Sequence, residues 1–206
     1  MSVAQRERAA LVQTMRETGP DHPTLCGEWT NRELAAHLVV RERRLDAAPG
    51  IMIPALADYT ERVTRQVAAE TDWTELLDRV ASGPPVFSPF KLLDPVVNVA
   101  EMFIHHEDVR RAVEPWEPRP LDDATTSALA RQVSVMSRMA LKADAHVALR
   151  TPEGKTLATL GKGPTAVVTG APGELLMYVS GREQARVELS GDDAGIAAVR
   201  EGRGGL

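Results

Sequence analysis

The chain is short of several things, and each shortage narrows what it does. Its 206 residues include a single cysteine, Cys26, so no internal disulfide can form and a reducing compartment fits. Aromatic residues make up only 4%, so the core must rest on Leu, Val, Ala, Ile and Met. No apolar run approaches the roughly 20 residues that span a bilayer. The opening stretch, MSVAQRERAALVQTM, alternates charge with apolar residues and does not read as a secretory leader. A cytoplasmic location is expected, with no membrane partner. Positive charge is not in excess either: the formal net charge is −5. That argues against nucleic acid as a partner, because phosphate binding calls for a basic surface. Internal repeats and low-complexity tracts are missing too. What is left is 43% hydrophobic and 26% charged, an ordinary globular composition, long enough for a large domain plus an appendage.

Apolar residues Val3, Ala10, Leu11 and Met15 recur at helical spacing up to about Thr18, and Gly19-Pro20 stops the run. After the loop HPTLCGEW, Thr30 opens a second helix, with Glu33 three residues on completing a capping box. It runs through LAAHLVVRERRLD and should end before Pro49-Gly50. A third helix is expected from Pro54 to Ala69, and a shorter one, TELLDRVA, from the cap at Asp72. The stretch PPVFSPFKLL reads as a proline-rich crossing loop. Asp94-Pro95 reads as a helix start, followed by VVNVAEMFIHHEDVRRAV. A last long helix spans roughly Asp122 to Lys142, where Met136, Met139 and Leu141 would suit a core or a dimer face equally well. Beyond residue 145 the texture changes to short β-prone runs, HVALRT, KTLATLG, TAVVTG and ARVELSG, with one helix, PGELLMYVSG, among them. The expected fold is therefore mainly α: a four-to-five-helix bundle over residues 1–143, then a small α+β domain over 144–206. The tail REGRGGL is expected to fray.

The main chemical signal is Glu101-x-x-x-His105-x-x-Asp108. Positions i, i+4 and i+7 share one helix face, so a carboxylate and an imidazole one turn apart can chelate one metal ion. Helical bundles build metal sites this way. His37, on a stripe with Leu34 and Leu38 that should face the core, is the expected third ligand. A lone histidine on an apolar face is more often a satisfied core residue, and Glu101 and His105 alone could be an exposed pair supporting their helix. Two inward-facing sites strengthen each other. A His, Glu, His set has the composition of catalytic zinc sites, which keep a position open; nickel, iron and cobalt would accept it too. Asp108 could orient a ligand from behind, or be a solvated carboxylate paired with Arg111 or Arg41. His106 should point about 100° away from His105, to the surface or a helix interface. Cys26 reads first as a small buried apolar residue, with a thiol beside the site as the other reading. Arg41, Arg43 and Arg44 could bind a carboxylate on a small ligand, with Arg41 and Arg44 the cofactor-binding candidates; a solvated helix end is the plainer account.

These residues carry a resemblance. The stretch TLCGEWTNRELAAHL, Thr24 to Leu38, resembles the first signature of the DinB-like helical bundles, in particular the mycothiol-dependent maleylpyruvate isomerase family. EMFIHHEDV resembles the second. The resemblance implies a divalent metal ion held by His37, Glu101 and His105, and a low-molecular-weight thiol such as mycothiol as cofactor. It implies a thiol activated by the metal for attack on an electrophilic substrate, in isomerisation, addition or group transfer. It also implies a small α/β domain after the bundle.

Other readings stay open at this level. In a metal hydrolase the open site would hold water of lowered pKa, with Asp108 or Glu107 as base. In a non-catalytic binding or stress protein the metal would be structural, its shell closed by a fourth ligand such as Cys26 or Asp108. A lipid pocket in the C-terminal part ranks low, since no apolar groove pattern is visible there.

Overall fold

The computed structural model describes residues 1–51, 53–85 and 89–204, with side chains in the fifth helix described from Asn98 onward. The chain divides into two compact units, Met1–Trp116 and Glu117–Leu206.

The first unit is helical. It holds α1 (Val3–Thr18), α2 (Asn31–Arg43), α3 (Ala57–Glu70), α4 (Trp73–Ser82) and α5 (Pro89–Arg110). Ser2 and Gln5 form a reciprocal capping box at α1, and Thr30 with Glu33 forms another at α2, where the expected one lies. Each box satisfies backbone N–H groups that the first turn leaves without partners. Asp72 caps α4 through Thr74 and Glu75. The third helix arrives later than expected, because Pro54–Leu56 forms a 3₁₀ turn ahead of it. The expected start at Asp94-Pro95 is a correction: α5 is already helical from Pro89. Part of the expected crossing loop, residues 86–88, lies outside the described residues.

α1 packs on α5 and α4, and α2 on α3, α4 and α5. The shared core comprises Leu11 and Met15 of α1, Leu34 and Leu38 of α2, Leu76 and Leu77 of α4, and Met102 and Val109 of α5. α2 is buried nearly all round, with Leu34, Ala35, Ala36, Leu38, Val39 and Val40 all covered. A helix placed so leaves its polar residues little access to water. His37, Arg41 and Glu42 must therefore find partners inside the bundle.

In the second unit, α6 (Asp123–Ala140) packs on α7 (Pro172–Val179) and on strand β2 (Thr156–Leu160). The division into compact units thus falls ahead of α6, between Trp116 and Glu117. The stripe of α6 formed by Ala128, Leu129, Val133 and Ala140 is apolar and is covered within the C-terminal unit. The sheet also contains β1 (His146–Arg150), β3 (Thr165–Thr169) and β4 (Glu188–Gly191), in the order β2-β1-β3-β4. β1 and β3 are parallel and the outer pairs antiparallel. The link from β2 to β3 passes close to the start of β1. Gly161 sits there at φ 68°, and a Cβ on it would fall 2.1 Å from the carbonyl oxygen of Ala145, which only glycine tolerates. An eighth helix, α8 (Asp193–Gly202), was not expected. It ties down the tail as far as Gly204, through Gly202 to Lys142 (2.9 Å) and Gly204 to Ala140 (3.0 Å). Fraying from residue 200 is thus corrected for the described part. Among the described residues, no helix is long and apolar enough to cross a membrane. The mainly α fold with a C-terminal α+β part is as the sequence texture predicts.

Candidate metal centre

Each of two helices presents a polar pair one turn apart: His37 and Arg41 on α2, Glu101 and His105 on α5. In each helix the spacing of four puts both side chains on one face. The capping box fixes where α2 begins and so sets the height of His37. Apolar neighbours Leu34 and Leu38 are fully buried and hold that face inward.

The pairs converge on one carboxylate oxygen. Glu101 Oε1 lies 3.3 Å from His105 Nε2 and 3.6 Å from His37 Nε2. One donor atom from each of the three residues falls within 4.8 Å of the others. Donors about 2.0–2.1 Å from a tetrahedral zinc ion stand about 3.3 Å apart. The two separations to Glu101 are already near that, so each histidine and Glu101 are spaced to share a single ion. The three side chains are mostly covered, at 13%, 23% and 10% exposure for His37, Glu101 and His105. Trp29 packs against His37 with ring centroids 5.2 Å apart, and His37 meets His105 edge-on at 5.6 Å.

Behind His105 lies a second cluster. Asp108, fully buried, is 2.9 Å from His105 Nδ1 through Oδ2. The same oxygen accepts the Cys26 thiol at 3.1 Å. Cys26 Sγ is 3.7 Å from His105 Nδ1. The loop carrying Cys26 is pinned in place: Leu25 N–H donates to the Asp108 carbonyl at 3.1 Å, and Cys26 N–H to Thr24 Oγ1 at 3.1 Å. Cys26 therefore joins both sequence readings, since it packs on the apolar core and its sulfur stands beside the site. Asp108 and Cys26 reach the Nδ1 edge of the ring, while Glu101 and His37 stand at the Nε2 edge. A carboxylate on Nδ1 fixes the tautomer and turns the Nε2 lone pair outward.

The site's charges are held by their neighbours. Burial would raise the Glu101 carboxyl, but the Arg41 guanidinium and the two imidazoles hold it well below the ordinary carboxylate range. Burial would lower His105 too; its bonds to Asp108, Cys26 and Glu101 hold it well above the usual histidine value. At His37 burial wins, and the ring is pushed down.

Of the two candidate arginines, Arg41 is at the site and Arg44 is not. Arg41 Nε lies 3.2 Å from Glu101 Oε1, and its Nη1 donates to Asn98 Oδ1 at 2.6 Å. Arg44 turns outward to Asp46, with bonds of 2.9 and 2.8 Å. Arg43 donates to the end of α4, at the carbonyls of Arg79 and Gly83. Glu107, considered as a base, is fully buried and takes Arg111 Nε at 2.7 Å and Arg110 Nη1 at 2.9 Å. His106 faces the α1 interface, 3.0 Å from Thr14 Oγ1 and 3.6 Å from Glu7.

Sequence reasoning missed the chain of polar groups leading inward from Arg41. Asn98 Nδ2 donates to Glu42 Oε1 at 3.4 Å. Glu42 in turn takes both Nη atoms of Arg8, at 3.0 and 2.5 Å. Asn98 was detectable as a lone amide in the apolar run VVNVAEMF. Arg8 gave no signal, since α1 carries other arginines on its polar side.

No family model and no curated protein matches the sequence. Among solved structures, the crystal structure of the mycothiol-dependent maleylpyruvate isomerase superimposes with a TM-score of 0.54 at 14% identity, over 94% of this chain and 92% of that one. A mutant of that isomerase with one histidine changed to alanine gives the same TM-score and coverage at 13% identity. At such identity the likeness establishes the fold, a mainly helical protein with a C-terminal α+β part.

Proposed function

We propose that this chain binds one divalent metal ion through His37, Glu101 and His105, and uses it to activate the thiol of a small cofactor such as mycothiol. The reaction is then a transfer or isomerisation on an electrophilic substrate. The observation that carries the reading is the convergence of both Nε2 atoms on one Glu101 oxygen, with Asp108 bonded behind His105. A neutral-nitrogen and carboxylate set of this kind suits zinc. The shared fold with a mycothiol-dependent enzyme supports the thiol as the cofactor class.

A bound zinc ion would supply the charge that strips the proton from a thiol at neutral pH. The residues of the chain do the rest. Asp108 keeps the His105 proton on Nδ1 and presents Nε2. Glu101 supplies the negative charge. Trp29 and the apolar neighbours of His37 limit water around the donors. The closed structural alternative is disfavoured, because Cys26 and Asp108 lie at the Nδ1 edge of His105 and among the described residues no group of four donors assembles. The hydrolase alternative loses Glu107 as a base, since two arginines hold it.

The test is metal content by plasma mass spectrometry, together with calorimetric titration of the thiol before and after chelation. One equivalent of metal is expected, with thiol binding that disappears on chelation. A protein that takes up no metal under zinc loading would end the reading.

A further inference from the structure

Arg41 places a positive charge on the oxygen that a cofactor metal would use. Its Nε approaches Glu101 Oε1 at 3.2 Å, the same oxygen on which both imidazoles converge at 3.3 and 3.6 Å. With both imidazole lone pairs turned to a metal ion, this oxygen would be shared between the ion and the guanidinium, so two cations would draw on one carboxylate. The guanidinium is also a fixed cation at any working pH. Nor can it easily swing out to water. It is 11% exposed, and Nη1 is held at 2.6 Å by Asn98, itself fully buried. Asn98 is in turn bonded to Glu42, and Glu42 to Arg8. A line of buried polar groups thus leashes a positive charge beside the donor set.

Resting on the metal reading above, we infer that Arg41 is an internal competitor of the metal ion. It acts as a counter-cation that stabilises the Glu101 carboxylate when no metal is bound and weakens metal binding when one arrives. Two consequences have opposite signs. The metal-free bundle is held together by the Arg41–Glu101 pair, because a buried carboxylate without a counter-charge is costly. The loaded site carries an extra like charge a few ångströms from the ion, which lowers affinity. The arginine therefore keeps the donors assembled without metal and lets the metal leave again. It is a positioning residue rather than a ligand or a catalytic group.

The experiment is zinc titration of the full chain by calorimetry with a competing chelator, and thermal melts with and without zinc. It compares wild type with Arg41→Met, Arg41→Gln and Arg41→Lys. Removing the charge in the Met and Gln variants should tighten zinc binding by at least about 10-fold and lower the melting temperature of the metal-free protein. The loaded protein should melt close to wild type. Arg41→Lys, which keeps the charge, should bind zinc as wild type does. Zinc bound by wild type, but equally or more weakly by folded Arg41→Gln and Arg41→Met, would overturn the competitor role and leave the metal reading standing. Zinc bound by neither wild type nor variants would overturn both. Should the Met variant fail to fold, the Gln variant, which keeps a hydrogen-bonding amide, carries the test.

Discussion

Replacing Arg8 by methionine removes a guanidinium that is 4% exposed and reaches Glu42, which is 1% exposed. Both Nη atoms bond the carboxylate, at 3.0 and 2.5 Å, and Nη1 also donates to the Val80 carbonyl at 2.9 Å. One side chain thus joins α1 to α2 and to the end of α4. Methionine matches much of the apolar stem and fills comparable space, so lost packing is minor and the change isolates the charge. Breaking one partner of a buried pair costs about 3–5 kcal/mol, because the remaining charge stays in a poor environment. With about 2.1 cal/mol/K of unfolding entropy per residue, a loss of about 4 kcal/mol lowers the melting temperature by about 9 °C if all 206 residues unfold together. If Met1–Trp116 melts alone, the same loss gives a drop of about 16 °C. Differential scanning calorimetry on the metal-free protein measures the drop and distinguishes one transition from two. Arg8→Met combined with Glu42→Leu should recover most of the loss, since an apolar pair of similar volume is often as stable as a buried ion pair. A single Arg8→Met variant that loses less than about 1 kcal/mol would refute the argument, placing this pair with surface bridges of small worth.

Four further outcomes are expected. His37→Ala, Glu101→Ala and His105→Ala should each abolish zinc binding, while His106→Ala and His22→Ala retain one equivalent; plasma mass spectrometry after loading decides. Zinc at 100 times its Kd should stabilise the wild type by about 2.7 kcal/mol, an effect reversed by chelator and missing from the three ligand variants in thermal melts. Asp108→Ala should weaken zinc binding about 10–100-fold, because His105 loses the bond that fixes its tautomer; calorimetry showing wild-type affinity would remove Asp108 from the site. In the chelated protein, pH dependence follows from the two histidines with opposite signs. His105 lies above its ordinary 6.5 in the folded state, so its contribution is complete below that value and is lost as pH rises through the raised one. His37 lies below 6.5, so its neutral form favours folding above 6.5 and the contribution is lost as pH falls through the lowered value. Melting temperature should therefore peak near pH 6.5, and a steady rise from about pH 5.5 to 8.5 would contradict this linkage.

Local patterns already contained most of the elements. The capping box at Thr30 and Glu33 needs only residues three apart, so it was readable and it appears as expected. The short β-prone runs HVALRT and TAVVTG likewise mark β1 and β3 without knowledge of their partners. The Glu101–His105 face follows from helical geometry alone, and His37 from its place among leucines. Where a boundary depended on more than one signal, local reading failed: Asp94-Pro95 reads as a start, but the chain is already helical from Pro89. The helix at Asp193–Gly202 was lost among its glycines.

Tertiary structure decided the rest, because the rest consists of distances between segments far apart in the chain. That α6 sits with the sheet depends on which apolar stripe covers its own, and an amphipathic helix does not name its partner. That Arg41 and not Arg44 reaches Glu101 is a matter of helix rotation: Arg41 lies one turn beyond His37, while Arg44 lies past the last turn, where Asp46 takes it. Cys26 is drawn to Asp108 by a loop whose backbone is pinned 83 residues away in sequence, at the Leu25 to Asp108 bond. The line from Arg8 through Glu42 and Asn98 to Arg41 crosses three helices, each satisfying a polar group that another has buried. Periodicity tells which side of a helix is covered; only packing tells which charge stands opposite.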